Sequence, residues 1–200
     1  MSFLGESRVM TWRLEEAPRL LALCREAGIP VDDLQGLPAK RQRENAAERL
    51  LLHNAFEQPV TLRHTEQGAP YIEGCDMNIS FSHTSQLVVM AWNKDLIVGI
   101  DAEQCDRQQV LKVRDKFLNA NEKQFIAVDD LASHIIAWTA KEAIIKATRN
   151  RALDWTEGIV LDSFTPNPDD TLFTARCQGV VYRLMCRLID GHYLTLAVPL

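Results

Sequence analysis

The chain has 200 residues, 46% hydrophobic and 24% charged, the balance of a soluble globular protein long enough for one large domain or two small halves. Its net charge of −5 argues against a general nucleic-acid binder, which needs an excess of Lys and Arg. Five cysteines without a CxxC pair, no charged-then-apolar leader and no apolar span of membrane length together predict a cytoplasmic protein with reduced thiols and no membrane contact.

In chain order, residues 1–11 read as a short first strand with a loose start. From Pro18 to Ala27, Leu20, Leu21, Leu23 and Cys24 recur at helical spacing, with Pro early and Gly28 just past the end, which predicts a scaffold helix. A turn-rich stretch from Pro30 to Leu37 leads to a second helix, Ala39 to Phe56, with Ala47, Leu50, Leu51 and Ala55 towards the core. Its first turns are basic. That opposes the macrodipole and would be relieved by an anion, although a solvated charged face explains the same run.

Thr61–Thr65 alternates like a strand and is followed by Gly68-Ala69-Pro70. Asn78–Phe81 and Gln86–Trp92 predict a strand pair around a hydroxyl-rich turn, Ser80 to Ser85, whose single His and several donors suit an anion such as phosphate. The plainer reading is a loop whose hydroxyls cap the next element. Asn93-Lys94-Asp95 reads as a tight hairpin turn into Leu96–Glu103, an apolar run ending in two acids. Side chains alternate along a strand, so Asp101 and Glu103 share a face, where a hard cation would keep both ionised. A strand running out into a polar turn is the alternative.

Arg107–Leu118 reads as an amphipathic helix with Val110, Leu111, Val113 and Phe117 inward and Arg107, Lys112, Arg114 and Lys116 outward. Asn121 is the expected N-cap of a short helix ending near Val128, and Asp129 and Asp130 precede a long helix from Leu131 to Thr148. On that helix Trp138, Glu142 and Lys146 are successive (i, i+4) neighbours, with Lys141 beside them. A Glu–Lys pair at this spacing is common on solvated helix faces. Beyond Arg151 the chain turns β-rich, with strands expected at 158–161, 172–176, 180–188 and 193–198.

Taken together and in order, Phe81-Ser82-His83-Thr84, Gly99-Ile100-Asp101-Ala102-Glu103 and Trp138-Thr139-Ala140-Lys141-Glu142-Ala143-Ile144-Ile145-Lys146 resemble the signature of the 4′-phosphopantetheinyl transferases. The resemblance spans about residues 38–150, and the length with an extra N-terminal half is similar to the long, surfactin-synthetase-activating type. It implies an α+β fold of two similar subdomains related by a pseudo-twofold, 1–95 and 96–200, with the active site in the cleft between them.

The implied reaction moves the phosphopantetheine arm of coenzyme A to a serine of an apo acyl or peptidyl carrier protein, as in fatty acid biosynthesis, releasing 3′,5′-ADP. Asp101, Glu103 and Glu142 would hold Mg²⁺, with Mn²⁺ as the alternative. Glu142, directly or through a metal-bound water, would be the base, and Lys146 would meet charge on the leaving phosphate. Lys141, Gly68 and Pro70 would support the donor; Ser82 and His83, with Lys40, Arg43 and Arg49, would hold its 3′-phosphate. Ala69 stands where the family usually has Lys, so that contact is missing or supplied elsewhere. The carrier would dock on the Arg107–Lys116 region of a monomer. A non-catalytic coenzyme A-binding paralogue and a metal-dependent coenzyme A hydrolase are the competing classes.

Overall fold

The computed structural model describes Leu4 and residues 6–200; residues 1–3 and 5, where the first strand was expected to start, lie outside it. Strand β1 (Arg8–Arg13) is followed by helix α1 (Ala17–Glu26), a short 3₁₀ turn, and helix α2 (Ala39–Ala55). Strands β2 (Leu62–His64) and β3 (Pro70–Ile72) pair as a small ribbon, and β4 (Asn78–His83) and β5 (Leu87–Asn93) form a hairpin. The antiparallel order β1-β5-β4 puts β5 in the centre. Every residue of β5 is buried, because alternate side chains serve two cores. Val88, Met90 and Trp92 pack with Ala47, Leu51 and Leu52 of α2. Leu87, Val89 and Ala91 pack against Ile100, Leu194 and Leu196 of a second sheet.

That second sheet is antiparallel in the order β6 (Gly99–Gln104), β10 (His192–Pro199), β9 (Val180–Ile189), β8 (Thr171–Cys177), β7 (Ile159–Leu161). Between β6 and β7 lie the short helices α3 (Gln109–Lys112) and α4 (Glu122–Phe125) and the long α5 (Leu131–Thr148). Helix α5 covers one sheet face through Ala140, Ala143, Ile144 and Ala147, against Ile159, Ala175, Leu184 and Ala197. Small residues let it come close. A Cβ on Gly99 would collide with the carbonyl oxygen of Ala143, so this backbone approach requires glycine.

Three local expectations are corrected. The 93–95 segment is not a hairpin: Asn93 Oδ1 accepts the amides of Asp95 and Leu96 at 2.8 Å each, but β5 and β6 belong to different sheets. The single helix over 107–118 is instead α3 and a 3₁₀ turn at Arg114–Lys116, because Val113 leaves helical geometry (φ −112, ψ 10) as Phe117 and Leu118 enter the core beneath α5. Asn121 caps nothing; Asn119 Oδ1 accepts the Glu122 amide, and Glu122 Oε2 accepts the Asn119 amide in return.

Candidate active site

The two sheets meet edge to edge at β4 and β6 without a hydrogen-bonded ladder. Serines two apart on β4 take over. Ser80 Oγ accepts the Ile100 amide at 3.1 Å, and Ser82 Oγ accepts the Ala102 amide at 3.3 Å. The expected Ser-His turn is therefore strand, with the turn itself beginning at Thr84, and the hydroxyl of Ser82 is spent on this seam. Ser82 Oγ also donates to Asp101 Oδ1 at 2.7 Å, which fixes the carboxylate where the strands abut.

Helix α5 brings the opposing charges. Asp130 Oδ1 caps it by accepting the Ser133 amide at 3.0 Å. Most of its length is buried, but Trp138, Glu142 and Lys146 form a half-buried stripe along one side. Lys146 Nζ donates to Asp101 Oδ1 at 2.7 Å and to the Ile100 carbonyl at 2.9 Å. Asp101 is only 6% exposed, and its second oxygen, Oδ2, is buried without a hydrogen-bond partner. Burial first, and then the Asp101 carboxylate, push the Glu142 carboxyl above the usual carboxylate range, with Lys146 opposing.

Beside this cluster opens a cleft of about 480 Å³ lined by Glu142, Lys146, His83, Gly68, Pro70 and Trp155, among others. His83 Nε2 lies 2.8 Å from Glu48 Oε1, an acid from α2 that also lines the cleft. Trp155 stacks tilted on Trp138, with ring centroids 4.8 Å apart.

The remaining residues lie apart from that cleft. Glu103 is engaged by the Arg107 guanidinium, which also sits 5.4 Å from the Trp138 ring centre. Lys141 is interior rather than phosphate-facing: fully buried, its Nζ donates to Glu122 Oε2 at 2.8 Å and to the carbonyls of Trp155 and Ile159. Lys40 is exposed, 3.8 Å from Glu44, and neither it nor the half-buried Arg43 lines the cleft. Arg49 forms a bidentate pair with Asp33 and lines a neighbouring cavity of about 590 Å³ that shares Glu48 and His64 with the cleft.

Hard oxygen donors with an unsatisfied buried oxygen fit a divalent cation. Mg²⁺ keeps waters and shares substrate phosphates, so one or two protein carboxylates suffice. Asp101 and Glu142 are the two acids that could supply them. Among the described residues no group of three His, Cys, Asp or Glu is placed to hold a metal, and the expected third acid, Glu103, is engaged by Arg107.

Glu48, Arg149, Arg151 and Trp155 also line the cleft and are not singled out by the sequence. The buried position of Glu48 in a charged helix face would have been its only signal. The others follow the helix motif but reach the cleft through tertiary contacts.

Residues 97–183 match the family model of the 4′-phosphopantetheinyl transferase superfamily. The match covers a little under half of the chain and contains Asp101, Glu103, Glu142 and Lys146; it supports phosphopantetheine transfer as the general activity. No curated protein matches the chain. Among the described residues no helix is long and apolar enough to cross a membrane.

Proposed function

We propose that this protein transfers the 4′-phosphopantetheine arm of coenzyme A to a serine of an apo acyl or peptidyl carrier protein, releasing 3′,5′-ADP. The observation that carries the reading is the Asp101–Glu142 carboxylate pair, with one buried oxygen unsatisfied, beside Lys146 at the cleft edge and within the matched segment.

Asp101 and Glu142 would hold the divalent cation, and Glu103 would join them on leaving Arg107. When bound, the cation neutralises charge on the donor diphosphate. Glu142 takes the proton of the carrier serine. The serine oxygen forms its bond to the pantetheine-bearing phosphorus as the diphosphate P–O bond breaks, and the electron pair leaves with 3′,5′-ADP. Lys146, held by the Ile100 carbonyl and Asp101, meets that leaving charge. His83 is the contact for the 3′-phosphate, and Gly68 and Pro70 form the wall beside the nucleotide. Exposed Lys112 and Lys116, with Arg114, would receive an acidic helix of the carrier. The finer assignments in this proposal are a monomer of the long, two-subdomain type, working in the cytoplasm in fatty acid or related biosynthesis.

Incubating coenzyme A and Mg²⁺ with the protein, with and without a panel of apo-carriers, tests the reaction. Transfer consumes coenzyme A only when a carrier is present and adds the arm's mass to it. Consumption without any carrier makes the protein a hydrolase. No consumption with any carrier leaves a binding protein and overturns the proposal.

A further inference from the structure

After α5 the chain turns back over the cleft. The helix closes at Arg149 in the left-handed region (φ 55, ψ 23), where Gly or Asn is the unstrained choice. Two residues on, Arg151 reaches the opposite wall: a Cβ on Gly68 would meet its Nη2 at 3.4 Å and its Cζ at 4.0 Å. Both arginines are exposed and line the cleft with Lys146.

Arg13, Arg49, Arg63 and Arg176 each take a carboxylate partner, whereas neither of the arginines lining the cleft does. Among the described residues the side chains of Arg149 and Arg151 make no hydrogen bond or ion pair, although Arg151 contributes to the field at Glu142. The plain alternative is that cations near a helix C-terminus offset its dipole. It does not explain why the Arg151 guanidinium lies over Gly68. A planar guanidinium with free donors that lines a cleft is suited to receive a phosphate group.

We infer that Arg149 and Arg151 are donor-binding residues that receive the diphosphate of coenzyme A, with the Arg151 guanidinium backed by the turn at Gly68. This rests on the transfer reading above. The diphosphate is favoured over the 3′-phosphate because Arg151 acts on Glu142 and Arg149 follows Lys146 by one turn, whereas the 3′-phosphate is assigned above to His83. Arg151 also supplies a cation from the C-terminal half beside position 69, where this chain has Ala.

The test is calorimetric titration of coenzyme A and dephospho-coenzyme A into wild type, Arg151→Ala, Arg151→Lys and Arg149→Gly, with Mg²⁺ and without carrier. Arg151→Ala should weaken both donors equally, by about tenfold, with Arg151→Lys keeping most of the affinity. Arg149→Gly should weaken binding while raising the melting temperature. Unchanged affinity in Arg151→Ala overturns the inference, as does a loss confined to coenzyme A, which would assign the arginine to the 3′-phosphate. Equal loss of stability and affinity in Arg149→Gly would reduce that residue to a helix end. A wild-type protein that binds neither donor sinks the transfer reading itself, and this inference with it.

Discussion

Helix α5 carries two lysines on successive turns, each facing a carboxylate, and the two pairs have opposite characters. Lys141 and Glu122 are both 0% exposed, and their polar atoms are all occupied. The ammonium has one carboxylate oxygen and two carbonyls; the carboxylate also receives the amides of Asn119 and Leu161. Desolvation pushes the Lys141 ammonium below its usual pKa, with Glu122 opposing it. Lys146 and Asp101 are a less finished pair. The ammonium is partly open to the cleft, Asp101 Oδ2 has no partner, and Glu142 stands beside them with its pKa raised. A buried ion pair whose every bond is made inside the protein stitches the fold; one left incomplete at a cleft edge is available to a ligand.

The largest way to break this contrast is Lys141→Met. It strands the Glu122 carboxylate in the interior and should cost about 3–5 kcal/mol in chemical denaturation. A cost below about 1 kcal/mol would show that the inner pair is not the brace described. Glu142→Gln should act in the other direction. A carboxyl whose pKa is raised on folding binds its proton more tightly when folded, so its contribution to stability falls as pH rises from the ordinary carboxylate value through the raised one. Removing the charge should therefore stabilise the protein at neutral pH by about 1 kcal/mol, with the gain vanishing in acid, while transfer drops a hundredfold or more. A stability loss at neutral pH would contradict the strained-carboxylate account.

The components of the incomplete pair are more legible in sequence than those of the complete one. Strand alternation puts Asp101 and Glu103 on one face, and helical spacing puts Trp138, Glu142 and Lys146 on one stripe, which is the half-buried stripe of α5, but neither pattern predicts that Lys146 meets Asp101. Lys141 was assigned to phosphates by adjacency in the motif. Its true partner, Glu122, sits on a short helix, and neither propensity nor periodicity predicts that a lysine is drawn into a core. The seam serines were misplaced for a related reason. Ser80 and Ser82 look like turn residues by composition, but they satisfy the amides of a neighbouring strand edge, a need that exists only once the sheets meet. Element positions in the C-terminal half are readable because alternation and Asn-Pro or Asp-Gly turns mark them; the broken helix after Arg107 is not, because its amphipathic pattern continues through Val113, where the backbone leaves helical geometry.

Two smaller effects sharpen the map of the cleft around the open pair. His83→Ala should weaken coenzyme A about five- to tenfold and dephospho-coenzyme A much less, whereas Lys40→Ala, outside the cleft, should change neither. Equal losses for both donors would make His83 a purely structural partner of Glu48. Reversal of Arg114 and Lys116 to Glu should raise the Michaelis constant for carrier about threefold at low salt and flatten its salt dependence, leaving coenzyme A affinity unchanged. An unchanged carrier constant would move the docking surface elsewhere.

The most direct measurement is intact-mass analysis of an apo-carrier incubated with coenzyme A, saturating Mg²⁺ and either wild type or Asp101→Ala. Asp101 accepts from Ser82 and Lys146 and, though buried, packs in none of the hydrophobic clusters, so the variant should remain folded. The account expects the wild type to add the phosphopantetheine mass and the variant to add none while keeping its melting transition. Near-normal modification by Asp101→Ala would contradict the claim that the unsatisfied carboxylate at the seam is the centre of the active site.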